Sequence, residues 1–171
     1  MSDASEELRS RQGPLKDRYR EDAAAAVIVL RAAASLDAAG VACNVTTGRA
    51  LVEAGLHPAT GGSGLQVCSG DMLLEALVAC AGVTLRAVAT ALGIAVRDGR
   101  IEAEGDLDVR GTLGVSREAP VGFRAIRLSI RLDTDATQEQ LATLLKLTER
   151  YCVVLQTLRV PPGLTTTMSP A

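Results

Sequence analysis

The sequence predicts a single domain that combines a buried helix with antiparallel strands, and three observations carry that prediction. A long apolar run opens from a glycine-rich loop and spans residues 72–96, two later stretches alternate apolar and charged residues, and a capped helix follows them. The length agrees, since 171 residues is about one domain. With 47% hydrophobic and 22% charged residues, the chain lacks the low hydrophobicity and high net charge of a disordered one. Tyr19, Phe123 and Tyr151 are the only aromatics, so Ala, Val, Leu and Ile must build the core.

Residues 1–22 read as a charged arm ahead of a domain at 23–171. Arg9, Arg11, Lys16, Arg18 and Arg20 mix with Glu6, Glu7, Asp17 and Glu21, which predicts a solvated helix broken at Gly13-Pro14. From Ala23, the run AAAAVIVLRAAASL balances helix-forming Ala against strand-forming Val and Ile. The strand reading is preferred, because residues 37–40 look like a turn into VACNVTTG, where Cys43 alternates inward as a small hydrophobe. Residues 55–70 hold five Gly and one Pro with no period, and so form a long irregular loop of the kind that often carries function.

Gly70-Asp71 then opens a helix to about Leu92, with Ser69 or Asp71 available as N-cap and Gly93 as the stop. Leu74, Val78, Ala81, Leu85, Val88 and Leu92 form one apolar face, and Leu73, Leu77, Cys80, Thr84, Ala87 and Ala91 a second. A helix apolar on two faces is buried on nearly all sides. In so small a chain that requires either a sheet wrapped around it or a second copy packed against it.

In IEAEGDLDVR, Ile101, Ala103, Leu107 and Val109 alternate with charged neighbours, and in FRAIRLSIRLD, Ile126, Leu128, Ile130 and Leu132 do the same. This marks antiparallel strands with one wet face, the acidic face of one meeting the basic face of the other in cross-strand ion pairs. Thr137 to Gln140 is a capping box that starts a helix. Its apolar stripe passes through Leu141, Leu144, Leu145, Tyr151 and Leu155, with a break near Arg150, before Pro161-Pro162-Gly163 ends it.

The same arithmetic excludes functions. A net charge of −2 with so few aromatics gives no footprint for nucleic acid. The N-terminal MSDASEELRSRQ lacks an apolar signal core, so a cytoplasmic location is expected. Glu75 and Arg86 divide the apolar helix into uncharged runs of ten residues, about half of what a membrane span needs, so no membrane partner is expected. Four cysteines spaced 25, 12 and 72 residues apart, with His57 the single histidine, match no zinc pattern, and no metal is expected.

Cys80 and Cys152 are the candidates for chemistry, although an unpaired buried cysteine is commonly an inert small side chain. Cys152 follows Arg150, whose guanidinium would lower a thiol pKa. Cys68, close to the helix start, reads as a bystander.

The helix DMLLEALVACAGVTLRAVATALGI entered from a Gly-rich loop, the alternating strand pair, and LTERYCVVLQTL together resemble the OsmC/Ohr family of thiol-dependent hydroperoxide reductases, over roughly residues 40–160. The resemblance implies an α+β fold in which antiparallel sheets wrap long buried central helices in an intertwined homodimer. It implies that Cys80 attacks an organic, lipid-like hydroperoxide and becomes a sulfenic acid, which Cys152 converts to a disulfide. An external dithiol reductant protein of lipoyl type would reopen that bond by exchange, with no bound cofactor. The family's activating pair is an Arg held by a Glu: Asp71, one methylene shorter, matches the acid, Arg49 is the candidate for the Arg with a protonated His57 as the alternative, and the substrate neighbours are Leu77, Thr84 and His57. Val153 follows the second cysteine where the family often has Pro. The alternative keeps the fold without catalysis, as a small-molecule-binding or redox-sensing protein with retained thiols.

Overall fold

The computed structural model describes residues 3–36, 43–45 and 54–170. Helix α1 (Asp3–Glu21) runs through Gly13 and Pro14, where a break was expected. Proline removes a backbone bond and tends to break a helix. Here both sides are tied down: Gln12 donates to the Thr60 carbonyl at 3.0 Å and Tyr19 to the Ala59 carbonyl at 2.9 Å. Tyr19 is buried with Ala26, Val109 and Leu113, so this face of the arm is not solvated.

A 3₁₀ turn at Ala24–Ala26 leads into β1 (Val27–Leu36), which confirms the strand reading of the ambiguous run. Strand β2 (Cys43–Val45) pairs antiparallel with β1. The turn at 37–40 and the direction of the Cys43 side chain lie outside the described residues. Two short parallel strands, β3 (Ala54–Gly55) and β4 (Val67–Cys68), bracket the glycine-rich loop, whose own 3₁₀ turn is Pro58–Thr60.

Helix α2 (Ser69–Leu92) begins earlier than expected. Cys68 is its N-cap residue and makes no side-chain cap bond, so neither Ser69 nor Asp71 fills that role. Both already lie inside the helix. Gly93 ends it in a left-handed conformation (φ +67°), as a helix-stopping glycine should. The chain continues through β5 (Asp98–Asp108), α3 (Val109–Thr112), β6 (Phe123–Asp133), α4 (Gln138–Tyr151) and α5 (Val153–Arg159). Val109 thus starts a helical turn rather than continuing the strand.

The main sheet is antiparallel, in the order β2-β1-β5-β6, with α2 lying against β1 and β5 and α4 and α5 packed on α2. Arg127 reaches Asp106 at 2.6 Å and Glu104 at 3.4 Å, the cross-strand ion pairs that the opposed charge faces predict. Leu74, Leu77, Val78, Ala81 and Leu85 meet Ile101, Ala103 and Leu144 in the core. Each large aliphatic side chain buried there contributes about 1.5–3 kcal/mol.

The expectation that α2 is covered on nearly all sides does not hold within one chain. Its first face is buried as far as Leu85, but on the other side Leu73 and Val83 remain 38% and 41% exposed. One four-stranded sheet covers only one side of a cylinder. By length and composition alone α2 is apolar enough to cross a membrane, yet its buried face is the centre of this core. Arg86 is tolerated inside because its guanidinium donates to the Val96 carbonyl at 2.6 Å.

Candidate active site: paired thiols at a helix break

Cys80 sits half-buried in the middle of α2, on a side of the helix that another backbone approaches. The backbone that approaches is the junction between α4 and α5. Cys152 leaves helical geometry there (φ −71°, ψ 105°), ending α4 and starting α5. Its N–H still donates to the Thr148 carbonyl at 2.9 Å, and its carbonyl accepts from the Gln156 N–H at 2.9 Å. A helix start leaves its first N–H groups without intrahelical acceptors. At this break they turn to sulfur.

Burial alone pushes the Cys80 thiol up, but four donors outweigh it: the backbone N–H groups of Val154 and Val153, the Cys152 thiol and the Thr84 hydroxyl. The net effect holds Cys80 below the ordinary thiol value. The largest influences on it are thus neutral groups. Burial pushes the Cys152 thiol the other way, to about 11, with its neighbour Cys80 adding to the shift and the N–H groups of Leu155 and Val154 opposing it. The expectation that Arg150 lowers this thiol is therefore overturned. Arg150 stacks over the Tyr151 ring instead, 5.5 Å from its centroid, while Cys152 is fully buried. Both thiols are free.

The structure thus brings together Cys80, Cys152 and Thr84. Asp71 and His57 meet elsewhere, at the start of α2. Burial raises the Asp71 carboxyl and the His57 imidazole opposes that rise. Asp71 lies nine residues before Cys80, about 14 Å along the helix at 1.5 Å per residue. His57 Nδ1 accepts the Ala59 N–H at 3.0 Å, capping the 3₁₀ turn of the loop. Arg49 lies outside the described residues. Cys68, half-buried at the N-cap of α2, is packed against the core. Among the described residues no cluster of His, Cys, Asp or Glu is arranged to hold a metal.

A cavity of about 760 Å³ opens between α2, β6, α4 and α5. Leu77, Phe123, Ile126, Leu128 and Leu155 form its aliphatic and aromatic walls, and Cys152 belongs to the wall while Cys80 does not. Sequence reasoning missed the Val153 and Val154 N–H donors, although the helix break near Arg150 was their signal. It also missed Phe123, whose ring lies where a Cβ on Gly105 would stand.

Such an arrangement, an antiparallel sheet backing one long helix with a mid-helix thiol set against a second thiol at a helix break, defines an α+β protein with a pair of neighbouring thiols. The sequence matches the family described as OsmC-like protein over residues 62–167, more than half of its length, and the chain belongs to that family. Its fold is similar to that of an OsmC-like hydroperoxide resistance protein from Jannaschia sp. CCS1. The two are 17% identical with a TM-score of 0.60, over 85% of this chain and 95% of that one. No curated protein matches the sequence.

Proposed function

We propose that this chain is a thiol-dependent peroxidase that reduces organic hydroperoxides in oxidative stress defence. The observation that carries the reading is the meeting of two free thiols at the α4–α5 break, where the backbone N–H groups of Val153 and Val154 and the Thr84 hydroxyl turn to the Cys80 sulfur beside Cys152. Cys80 is the more readily ionised of the two and so the better nucleophile.

The Cys80 thiolate attacks the distal oxygen of R–O–O–H. The O–O bond breaks, the alcohol leaves after taking a proton, and Cys80 becomes a sulfenic acid. The Cys152 thiol then attacks that sulfur, losing its proton as the sulfenic hydroxyl departs as water, and a Cys80–Cys152 disulfide forms. A dithiol reductant reopens it by two exchanges, its own two thiols becoming a disulfide. Backbone N–H groups at the sulfur stabilise negative charge there, as an oxyanion hole does at oxygen. Organic peroxides suit the aliphatic surroundings of Cys80 better than hydrogen peroxide, because their hydrocarbon gains from burial.

In this reading the protein works in the cytoplasm as a homodimer, the partner covering the open side of α2 around Leu73 and Val83. Arg49 assists activation of Cys80, Thr84 donates to its sulfur and Leu77 contacts substrate, whereas Asp71 and His57, which meet at the start of α2, take no part at the sulfur. One equivalent of cumene hydroperoxide followed by mass-spectrometric thiol mapping tests the chemistry. A Cys80–Cys152 disulfide is expected in the wild type, and a trapped Cys80 sulfenic acid in Cys152→Ser. Unchanged peroxide consumption in Cys80→Ser would refute it.

A further inference from the structure

In an unbroken helix each carbonyl accepts the N–H four residues further on, so the Glu149 carbonyl would take the N–H of Val153. At the break that N–H turns to the Cys80 sulfur instead. The Glu149 carbonyl thereby becomes an orphan of the α4 C-terminus, and a half-buried acceptor is costly to leave unmet. It is met by a side chain. Gln156 folds back from the first turn of α5, and its Nε2 donates to that carbonyl at 2.6 Å.

The same residue holds the other side of the break. The Gln156 backbone N–H donates to the Cys152 carbonyl at 2.9 Å, so its backbone grips the start of α5 while its side chain grips the end of α4. Arg159 reaches back as well, meeting the Glu149 carboxylate at 3.0 Å. That ion pair is half exposed and joins side chains only, so it contributes little and leaves the carbonyl untouched. The Gln156 amide acts on the acceptor itself. With that acceptor occupied, little draws Val153 back into α4.

We propose that Gln156 is a positioning residue for Cys80: its side-chain amide takes the Glu149 carbonyl in place of the Val153 N–H, and so keeps that N–H directed at the sulfur. The consequence for peroxide turnover rests on the peroxidase reading above, whereas the exchange of hydrogen-bond partners does not. Among the described residues Cys152 is the titratable group acting on that sulfur, and it is unchanged in the variants below.

Gln156→Met keeps the length, the neutrality and the helix preference of the side chain and removes the donor. In ¹⁵N-labelled full chain, the Val153 amide proton is expected to follow the Cys80 titration in the wild type and to lose at least half of that response in Gln156→Met. Gln156→Lys, which keeps an N–H donor, should retain it. Cys80 alkylation by iodoacetamide, measured well below the wild-type midpoint and scaled to each variant's own high-pH plateau, should fall about three- to tenfold in Gln156→Met, the size of one hydrogen bond. An unchanged Val153 response or an unchanged scaled rate overturns the proposal. So does loss of amide-exchange protection throughout α5, which would make Gln156 an anchor of that helix and nothing more.

With cumene hydroperoxide, kcat/KM of Gln156→Met should fall below the wild-type midpoint and match the wild type above it. A wild-type protein that consumes no hydroperoxide refutes the peroxidase reading alone, and the Val153 and alkylation measurements still decide the role of Gln156.

Discussion

At the scale of single residues, the site makes two neighbouring sulfurs unequal. Burial disfavours both thiolates, yet Cys80 collects the donors and Cys152 supplies one of them. The sign follows directly. Because the Cys80 value is lowered, its thiolate fraction at neutral pH exceeds that of an ordinary cysteine, while Cys152 stays protonated until the pH approaches about 11. Iodoacetamide is therefore expected to alkylate Cys80 first. Cys152→Ala removes a donor and should move the midpoint of the Cys80 pH–rate curve upward, whereas Cys152→Ser keeps a hydroxyl donor and should move it less. Mass-resolved alkylation rates across pH decide this, and preferential labelling of Cys152 would contradict it.

At the scale of elements, helix ends and loops decide where the chemistry sits. The Thr137 capping box forms with both of its bonds, Gln140 N–H to Thr137 Oγ1 at 3.3 Å and Thr137 N–H to Gln140 Oε1 at 2.9 Å. It fixes where α4 starts, while the break at Cys152 decides where α5 points its free N–H groups. Thr137→Ala is expected to cost about 1 kcal/mol of stability, read from the urea midpoint, the usual size of a lost N-cap. The loop before α2 is less tolerant. A Cβ on Gly62 would collide with the Leu56 carbonyl, and backbone cannot step aside as a flexible side chain can. The arm α1 braces that loop through Gln12 and Tyr19, a role that its mixed charges did not reveal.

At the scale of the molecule, α2 organises everything else. Its inner face anchors the sheet, its centre holds Cys80, and its outer side is left partly uncovered. Leu85, 1% exposed, is a fair probe of that core. Leu85→Ala should cost about 2–5 kcal/mol, measured by chemical denaturation, because it removes buried apolar area and leaves a cavity. A loss below 1 kcal/mol would mean that the packing around α2 is looser than the structure has it.

Local chemistry was enough to locate most elements from the sequence. Period-two alternation identified β5 and β6, the Thr137 and Gln140 pair identified the start of α4, and Gly93 the end of α2. Each signal lies within a few neighbouring residues, where side-chain direction and backbone preference act directly. What only the tertiary structure decided involves groups far apart in the chain. The unbroken α1 depends on anchors some forty residues away, and the fate of Cys152 on burial rather than on Arg150 beside it. The N–H donors of Val153 and Val154 belong to the backbone, which carries no sequence signature. A sequence records which groups are present; which of them share a desolvated space, and so shift one another's charge, is settled by packing.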